Sequence, residues 1–337
     1  MKKFLLVAFL ITLFVLVFTS YLEYQASYGH GDAGAPVTFE LTAGVGVLEL
    51  GKQLEEKGII SSQYAFAWEV ATKKLSRKLI AGEYELDPQS SIQFILASFT
   101  AGKVVSHDIK VTFPEGFTID LMAKRLQDKG LPGEAFEKLA MEPDADLRAK
   151  YPFLEDVPQG MPLEGFLFPD TYHFRPEADA REIVEAMLEN FDTRISNQLV
   201  ADATRTHKSF YDALIVASIV EEEGNNKENR GYIAGIFWNR LAINQPLQSD
   251  VTVNYASGIH KQKLYLQDID IDSKYNTYKY AGLPPTPITN PGLESITASV
   301  YPTSSDYLYF ITDPKNGQAY YAKTFDEHVK NRQDRGL

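Results

Sequence analysis

Leu214–Glu223 reads LIVASIVEEE, seven apolar or small residues running straight into three glutamates. A strand can carry an apolar run of this length, but the flanks favour a helix. Phe210, Leu214 and Ala217 fall at i, i+4 and i+7, and Tyr211, Ile215 and Ser218 repeat the spacing beside them. Val216 and Ile219 are apolar too, so the helix is hydrophobic on most sides and is expected in the core. Its C-terminal end then delivers carboxylates where the helix dipole disfavours negative charge and low dielectric raises a carboxyl pKa. A glutamate held that way stays protonated near neutral pH, which is what a general acid requires. A second helix, Gly231–Leu241 (GYIAGIFWNRL), follows after one polar turn.

Around this pair lie 337 residues, enough for two domains or for one large domain with an appendage. A hydrophobic content of 44% supports a packed core, and a formal charge of −12 argues against a nucleic-acid backbone as partner. The absence of cysteine excludes a disulfide framework, thiolate metal sites and a cysteine nucleophile. Lys2 and Lys3 precede Phe4–Leu22, 19 uncharged and mostly apolar residues, about the length a helix needs to cross a bilayer. The lysines place the N-terminus in the cytoplasm and everything after Glu23 outside. A cleaved signal peptide is the competing reading. The apolar run is longer than a typical signal core, and Thr19–Leu22 offers no small-x-small cleavage site, which favours a retained anchor.

Residues 23–36 show no periodicity and are expected to form a linker. From Val37 the chain repeats itself: Gly44, Val47, Leu50, Leu54, Lys57, Gly58 and Ile59 match Gly116, Ile119, Met122, Leu126, Lys129, Gly130 and Leu131 at a constant offset of 72 residues. Each copy reads as a strand (Val37–Leu41, Ile109–Phe113), a glycine turn and an amphipathic helix closed by glycine. Core packing accounts for the matched positions. Between the copies, Ala81–Leu86 reads as a strand and Ser91–Ala101 as a helix ending at Gly102. Gly133–Tyr151 reads as charged helix, and Leu163–Phe174 (LEGFLFPDTYHF) as irregular, aromatic backbone that either plugs two domains together or walls a ligand site. Glu177–Thr206 is expected to be one long helix with Ile183, Met187, Phe191 and Ile195 on one face. The remainder reads as loop-heavy: Gln245–Thr252, Tyr275–Tyr278 and Ala281–Gly292. Asn290 and Pro291 are expected to cap a helix to Val300; Asp306–Thr312 and Gln318–Ala322 to form a hairpin; Thr324 and Glu327 to box the last helix.

No serine sits in a nucleophile elbow, no glycine-rich loop follows a strand, and the six histidines lack metal-protease spacing. What remains is a buried acid followed by loops rich in Asn, Gln, Tyr, Thr and Pro. Amides and hydroxyls interleaved with aromatic rings suit a carbohydrate cleft, with rings on the apolar sugar faces and amides on the hydroxyls. Lone histidines such as His173 and His328 read as structural.

Several motifs resemble the YceG-like (MltG-type) endolytic murein transglycosylases. IVEEE at Ile219–Glu223 is similar to that family's IVExE, FWNRL at Phe237–Leu241 to FxNRL, and LQSDVTVNYASG at Leu247–Gly258 to LQxDxTVxYxxG. YNTY, GLPP and NPG, beginning at Tyr275, Gly282 and Asn290, follow in the same order, and LEGFLFPDTY resembles EGxLFPDTY. The resemblance spans essentially the whole chain. One departure is Gly224 after the last glutamate, where the family shows threonine; it bears on how the helix ends.

The resemblance implies an α+β protein: an N-terminal transmembrane helix (1–22), a linker (23–36), a small LysM-like α+β module (37–108) and a mixed α/β catalytic domain (109–337) that includes the second βα repeat. It implies a single-pass protein of the inner membrane whose catalytic domain lies outside the cytoplasm. The implied partners are peptidoglycan glycan strands, the lipid bilayer and peptidoglycan synthases, with no cofactor and no metal. The implied reaction cleaves the β-1,4 bond between N-acetylmuramic acid and N-acetylglucosamine within nascent strands, leaves a 1,6-anhydro end and so limits glycan elongation. One carboxyl suffices for it, unlike the paired carboxylates of ordinary glycosidases. Glu221 and Glu223 point to nearly opposite sides of the helix, so one of them faces the cleft. In related transglycosylases the acid closes its helix before a small residue, which favours Glu223 over Glu221; Glu222 is expected to be solvated, and Glu221 to pair with Arg240. Asn239, Arg240, Gln248, Asp250, Thr252, Tyr255, Asn276 and Tyr278 are the expected sugar-binding residues. Two other readings stand beside this one: a non-catalytic peptidoglycan-binding scaffold, and a lysozyme-type hydrolase with Asp250 as second carboxylate.

Overall fold

The computed structural model describes residues 2–27, 35–102, 108–155, 157–206, 209–224, 226–258 and 268–336. The chain divides between residues 107 and 108 into two units. The first contains α1 (Lys2–Ser27), β1 (Val37–Leu41), α2 (Val47–Glu56), α3 (Gln63–Thr72), β2 (Gly82–Leu86) and α4 (Ile92–Ala101). Within α1, Phe4–Ser27 is long and apolar enough to cross a membrane and is almost wholly exposed. The helix does not stop at Leu22. It continues to Ser27, into the expected linker, because Leu22 and Ala26 bury themselves in the apolar core of this unit. Residues 28–34 of that linker lie outside the described residues. β1 and β2 pair antiparallel, from Val37 opposite Leu86 to Leu41 opposite Gly82. The two-residue alternation of a strand puts Phe39, Leu41, Tyr84 and Leu86 into the core with Leu50, Leu54, Phe66 and Phe99. The Tyr84 ring meets Phe99 edge-on at 4.7 Å, and its hydroxyl donates to the Ile80 carbonyl at 2.6 Å, which satisfies the polar tip of a buried ring.

The second unit opens with β3 (Ile109–Thr112), α5 (Ile119–Asp128), α6 (Gly133–Met141), α7 (Ala145–Lys150) and β4 (Thr171–Phe174). The repeat seen in the sequence is a repeat of backbone. Gly44 and Gly116, the matched turn glycines, have φ of 81° and 80°, a left-handed conformation that only glycine adopts without strain. Each copy also goes further than a βα unit. A second helix follows the first, and a returning strand pairs antiparallel with the opening one, Ile109 opposite Phe174 in the second copy. β4 lies in the segment expected to be irregular; four residues after Pro169 are too few for a period to register. Phe166 and Phe168 of the same segment are core residues of this unit, with Phe166 5.3 Å from Phe191 and stacked on Tyr211 at 6.1 Å.

Next come α8 (Ala180–Arg194), α9 (Asn197–Thr206), α10 (Phe210–Glu223), α11 (Lys227–Ala242), α12 (Asp250–Ser257), α13 (Leu293–Val300), β5 (Tyr309–Thr312), β6 (Ala319–Ala322) and α14 (Phe325–Arg335). Four expectations change in this unit. Glu177–Thr206 is two helices, because Ile195 leaves helical geometry (φ −94°, ψ 107°) while staying buried, so the apolar period continues through the break. Gly133–Tyr151 likewise breaks ahead of Pro143, and Asp250–Thr252, the end of an expected loop, opens a helix that runs to Ser257 and a left-handed Gly258. The fourth concerns Asn290, which does not cap α13; Gly292 occupies that position. The β5–β6 hairpin and the Thr324–Glu327 capping box stand where expected.

The LIVASIVEEE segment is the axis of this unit. Every residue of α10 from Phe210 to Val220 is buried except Asp212. Leu214, Ile215 and Ala217 pack with Phe166, Phe191 and Ile296, whereas Val216, Ile219 and Val220 pack with Ile233, Phe237, Leu247 and Ile288. One helix thus belongs to two apolar clusters, each buried aliphatic side chain contributing about 2 kcal/mol. Its acidic end is carried by the rigidity of both.

Candidate active site

The last turn of α10 has two differently furnished sides. On one, Glu221 is nearly enclosed, its side chain 6% exposed. Its Oε1 accepts from Arg230 Nη2 at 3.0 Å and its Oε2 from the Gly292 amide at 2.9 Å. Arg230 also reaches Glu294 at 2.7 Å. The expected partner, Arg240, is not used. Arg230 can be, because Asn226 caps α11 and brings the first turn of that helix back over the end of α10. Gly224 makes the approach possible. A Cβ there would lie 2.5 Å from Arg230 Cγ, while φ is an ordinary −99°, so the glycine serves close contact and not backbone freedom.

The Gly292 amide is itself held by a buried knot that joins two motifs read separately in the sequence. Asn290 Oδ1 accepts from the amides of Gly165 and Leu167 at 2.8 and 3.0 Å, and its Nδ2 donates to Glu164 Oε1 at 2.6 Å. Glu164 also accepts from the Ile119 amide at the start of α5. Burial pushes the Glu164 carboxyl up to about 8, with Asp120 adding to the rise, while the Ile119 amide and Asn290 oppose it. Gly116 closes the knot by donating to the Asn290 carbonyl at 3.0 Å.

On the other side, Glu223 Oε1 accepts from Ser249 Oγ at 2.7 Å. Burial pushes its carboxyl up to about 7; Asp250 and Glu222 push the same way, while the Ser249 hydroxyl and Arg240 pull it down. Glu223 lines a cleft of about 550 Å3 together with Arg240, Gln248, Asp250 and Tyr278, and with Tyr309, Phe310, His328 and Arg332 from β5 and α14. The Tyr278 hydroxyl donates to Asp250 Oδ1. Gln248 adopts φ of 49°, rare outside glycine, with its amide on the Thr277 carbonyl at 3.1 Å; that kink turns Ser249 toward Glu223.

Of the residues expected to meet sugar, the structure gathers Glu223, Arg240, Gln248, Asp250 and Tyr278 into this cleft. Arg240 is buried, donating to the carbonyls of Leu308 and Leu247 and stacking over Tyr309 at 5.1 Å, so its charge reaches Glu223 through the cleft wall. Asn239, Thr252 and Asn276 are placed elsewhere. Asn239 donates to the carbonyls of Ser305 and Tyr307, Thr252 is enclosed between Ser249 and Thr277, and Asn276 donates to the carbonyls of Ile269 and Ile271. Tyr255 packs its ring 5.0 Å from Tyr275 and lines a separate, small cavity with Glu222. Ser249, Arg230, Glu164 and the β5–α14 wall escaped the sequence reading. Their pairing partners lie between 9 and 126 residues away in the chain, and no spacing rule reaches that far.

A carboxyl that holds its proton near neutrality, beside a cleft with aromatic and amide walls, can protonate a leaving oxygen and take a proton back. Known proteins point the same way. Residues 39–334 match the YceG-like family. The chain is 32% identical to the endolytic murein transglycosylase of Bacillus subtilis over 90% of its length and 85% of that protein's. It is 33% identical to the Streptococcus pneumoniae protein of the same name, covering 98% of this chain and 64% of that longer one. The crystal structure of a YceG-like protein from Listeria monocytogenes is 36% identical and superimposes with a TM-score of 0.58, covering 88% of this chain and 98% of the other. The chain belongs to the YceG-like family.

Proposed function

We propose that the protein is an endolytic peptidoglycan lytic transglycosylase in which Glu223 is the acid and then the base. The observation that carries this reading is the single raised carboxyl that opens onto the cleft, while Glu221 has both oxygens committed to Arg230 and Gly292. In the first step the Glu223 proton goes to the glycosidic oxygen between N-acetylmuramic acid and N-acetylglucosamine, and the C1–O bond breaks. In the second the Glu223 carboxylate takes the proton from the muramyl C6 hydroxyl, whose oxygen closes onto C1. Atoms balance without water, and the product is a 1,6-anhydro end. Ser249 and Arg240 stabilise the carboxylate between the two steps. Gln248, Asp250 and Tyr278 orient the sugar, and the Tyr309 and Phe310 rings offer it apolar faces.

Asp250 in the same cleft motivates the alternative of hydrolysis through two carboxylates. Mass spectrometry of products from purified peptidoglycan separates the two: anhydro ends support the proposal, and reducing ends replace it with hydrolysis. Retained cleavage by Glu223→Gln overturns the assignment of the acid.

We further propose that α1 is a retained anchor with its N-terminus in the cytoplasm, so that cleavage takes place outside the membrane on newly made strands, next to the synthases. Support comes from the length and apolarity of Phe4–Ser27 and from the two lysines before it. The β1–α2–α3–β2 arrangement is assigned to the LysM-like module that the family resemblance implies.

A further inference from the structure

We propose that the first unit lies directly on the bilayer, with α3 as an interfacial helix whose exposed aromatic stripe sits among the lipid headgroups. The inference rests on the reading of α1 as a membrane span. Three observations carry it. First, the apolar span and the folded unit share residues: Leu22, at the end of the span, and Ala26, one turn on, are core residues of the unit. Gln25 accepts from Ser61 Oγ at 2.9 Å, just ahead of α3, and Gln93 Nε2 lies 3.4 Å from Ser27 Oγ and 3.1 Å from Glu69 Oε1. Ser61 sits two residues before α3 opens at Gln63, and Gln63 to Glu69 spans about 9 Å of helix. The start of α3 is therefore held beside the last turn of α1. With α1 crossing the bilayer, the start of α3 lies within about one helical turn of where the hydrocarbon span ends.

Second, α3 is two-faced. Ala65, Phe66, Glu69 and Val70 are buried. Tyr64 and Trp68, at i and i+4, are 64% and 36% exposed, and Tyr21 on α1 is 56% exposed. Tyrosine and tryptophan carry a polar tip on an apolar ring and concentrate at membrane–water boundaries. Third, the helix runs into TKKLSRK at Thr72–Lys78, where Lys73, Lys74, Arg77 and Lys78 are all exposed in a chain of net charge −12. Lys73 pairs with Glu69 at 2.8 Å. Lys74, Arg77 and Lys78 are left to meet anionic headgroups.

The test uses the full chain in vesicles of phosphatidylethanolamine and phosphatidylglycerol containing brominated lipid. Trp68 and Trp238 are the two tryptophans, so Trp238→Phe leaves Trp68 as the reporter. A second protein carries Trp68→Phe, Trp238→Phe and Phe14→Trp, with its reporter midway along α1. Trp68 should lose most of its emission to bromine near the acyl carbonyl and little to bromine near the chain end, and the Phe14→Trp reporter the reverse. Exchanging phosphatidylglycerol for phosphatidylcholine should weaken Trp68 quenching. Unchanged Trp68 emission alongside a quenched Phe14→Trp reporter overturns the seating while leaving the anchor in place. Loss of quenching at both positions overturns the anchor reading and the seating together. An emission shift of Trp68 on adding soluble glycan fragments, with none on adding vesicles, gives this face to sugar and likewise overturns the proposal.

Discussion

Glu221 and Glu223 share a helix turn, a charge type and nearly the same backbone, yet the two sides of the α10 terminus give them opposite surroundings. On the Glu221 side every carboxylate oxygen has a fixed donor, Arg230 or the Gly292 amide, and the geometry is closed by Gly224 and the Asn290 knot. On the Glu223 side one hydroxyl, Ser249, meets one oxygen, and the rest of the group faces a cleft. The lesson concerns partner count. Glu221 has a donor on each oxygen, one of them a guanidinium, whereas Glu223 is desolvated with one hydroxyl donor and burial pushes its carboxyl up.

This contrast can be broken most directly at Glu223. Glu223→Gln should lower cleavage by about 1,000-fold, the usual scale for a positioned acid–base group, with the melting temperature nearly unchanged. Glu221→Gln should show the converse profile. It leaves Arg230 short of a buried partner and should destabilise the fold by about 3 kcal/mol in denaturant titrations, while any surviving folded protein keeps its product type. A folded, fully stable Glu221→Gln protein without activity would falsify the division of labour.

pH sharpens the comparison. In the proposed mechanism Glu223 starts protonated, and burial raises its pKa to about 7, so kcat/KM should fall as pH rises through that value. The Ser249 hydroxyl stabilises the carboxylate, and removing it raises the pKa further. Ser249→Ala should therefore move the alkaline limb of the kcat/KM profile to higher pH; a limb that stays in place or moves down would show that the hydroxyl does not act on Glu223. The smallest effect is expected between the repeat glycines. Gly44→Ala and Gly116→Ala both meet the penalty of a positive φ, about 1 kcal/mol. A Cβ at Gly44 meets nothing within 4 Å, and at Gly116 it lies 2.5 Å from the tip of the exposed Glu222 side chain, which can swing aside, so denaturant titrations should give both variants the same small loss with activity retained.

That pair of glycines also shows why the repeat was legible and its use was not. Matched residues at a fixed offset reveal equal local folds, since turn chemistry and helix periodicity are short-range. Nothing within the second copy says that its turn abuts the acidic end of α10. The same limit explains Asn290, whose proline neighbour suggested a helix cap; burial and four hydrogen bonds to distant chain override that local preference. It explains Asn239, Thr252 and Asn276 as well. Their amides and hydroxyls are the right chemistry for sugar, but backbone carbonyls and a neighbouring threonine take them first.

By itself the sequence determined that α10 is buried, that its end is acidic, that the chain repeats, and that an apolar helix leads it, because each follows from composition and periodicity over a few turns. The family followed from ordered motifs. Only the tertiary structure decided which glutamate has both oxygens committed and which opens onto the cleft, that Arg230 and not Arg240 pairs with the first, that Ser249 donates to the second, and that α1 runs on into the folded unit beyond it. Those outcomes depend on which donors reach a carboxylate through space, and hydrogen bonds and desolvation act over a few ångströms regardless of how much chain separates the groups.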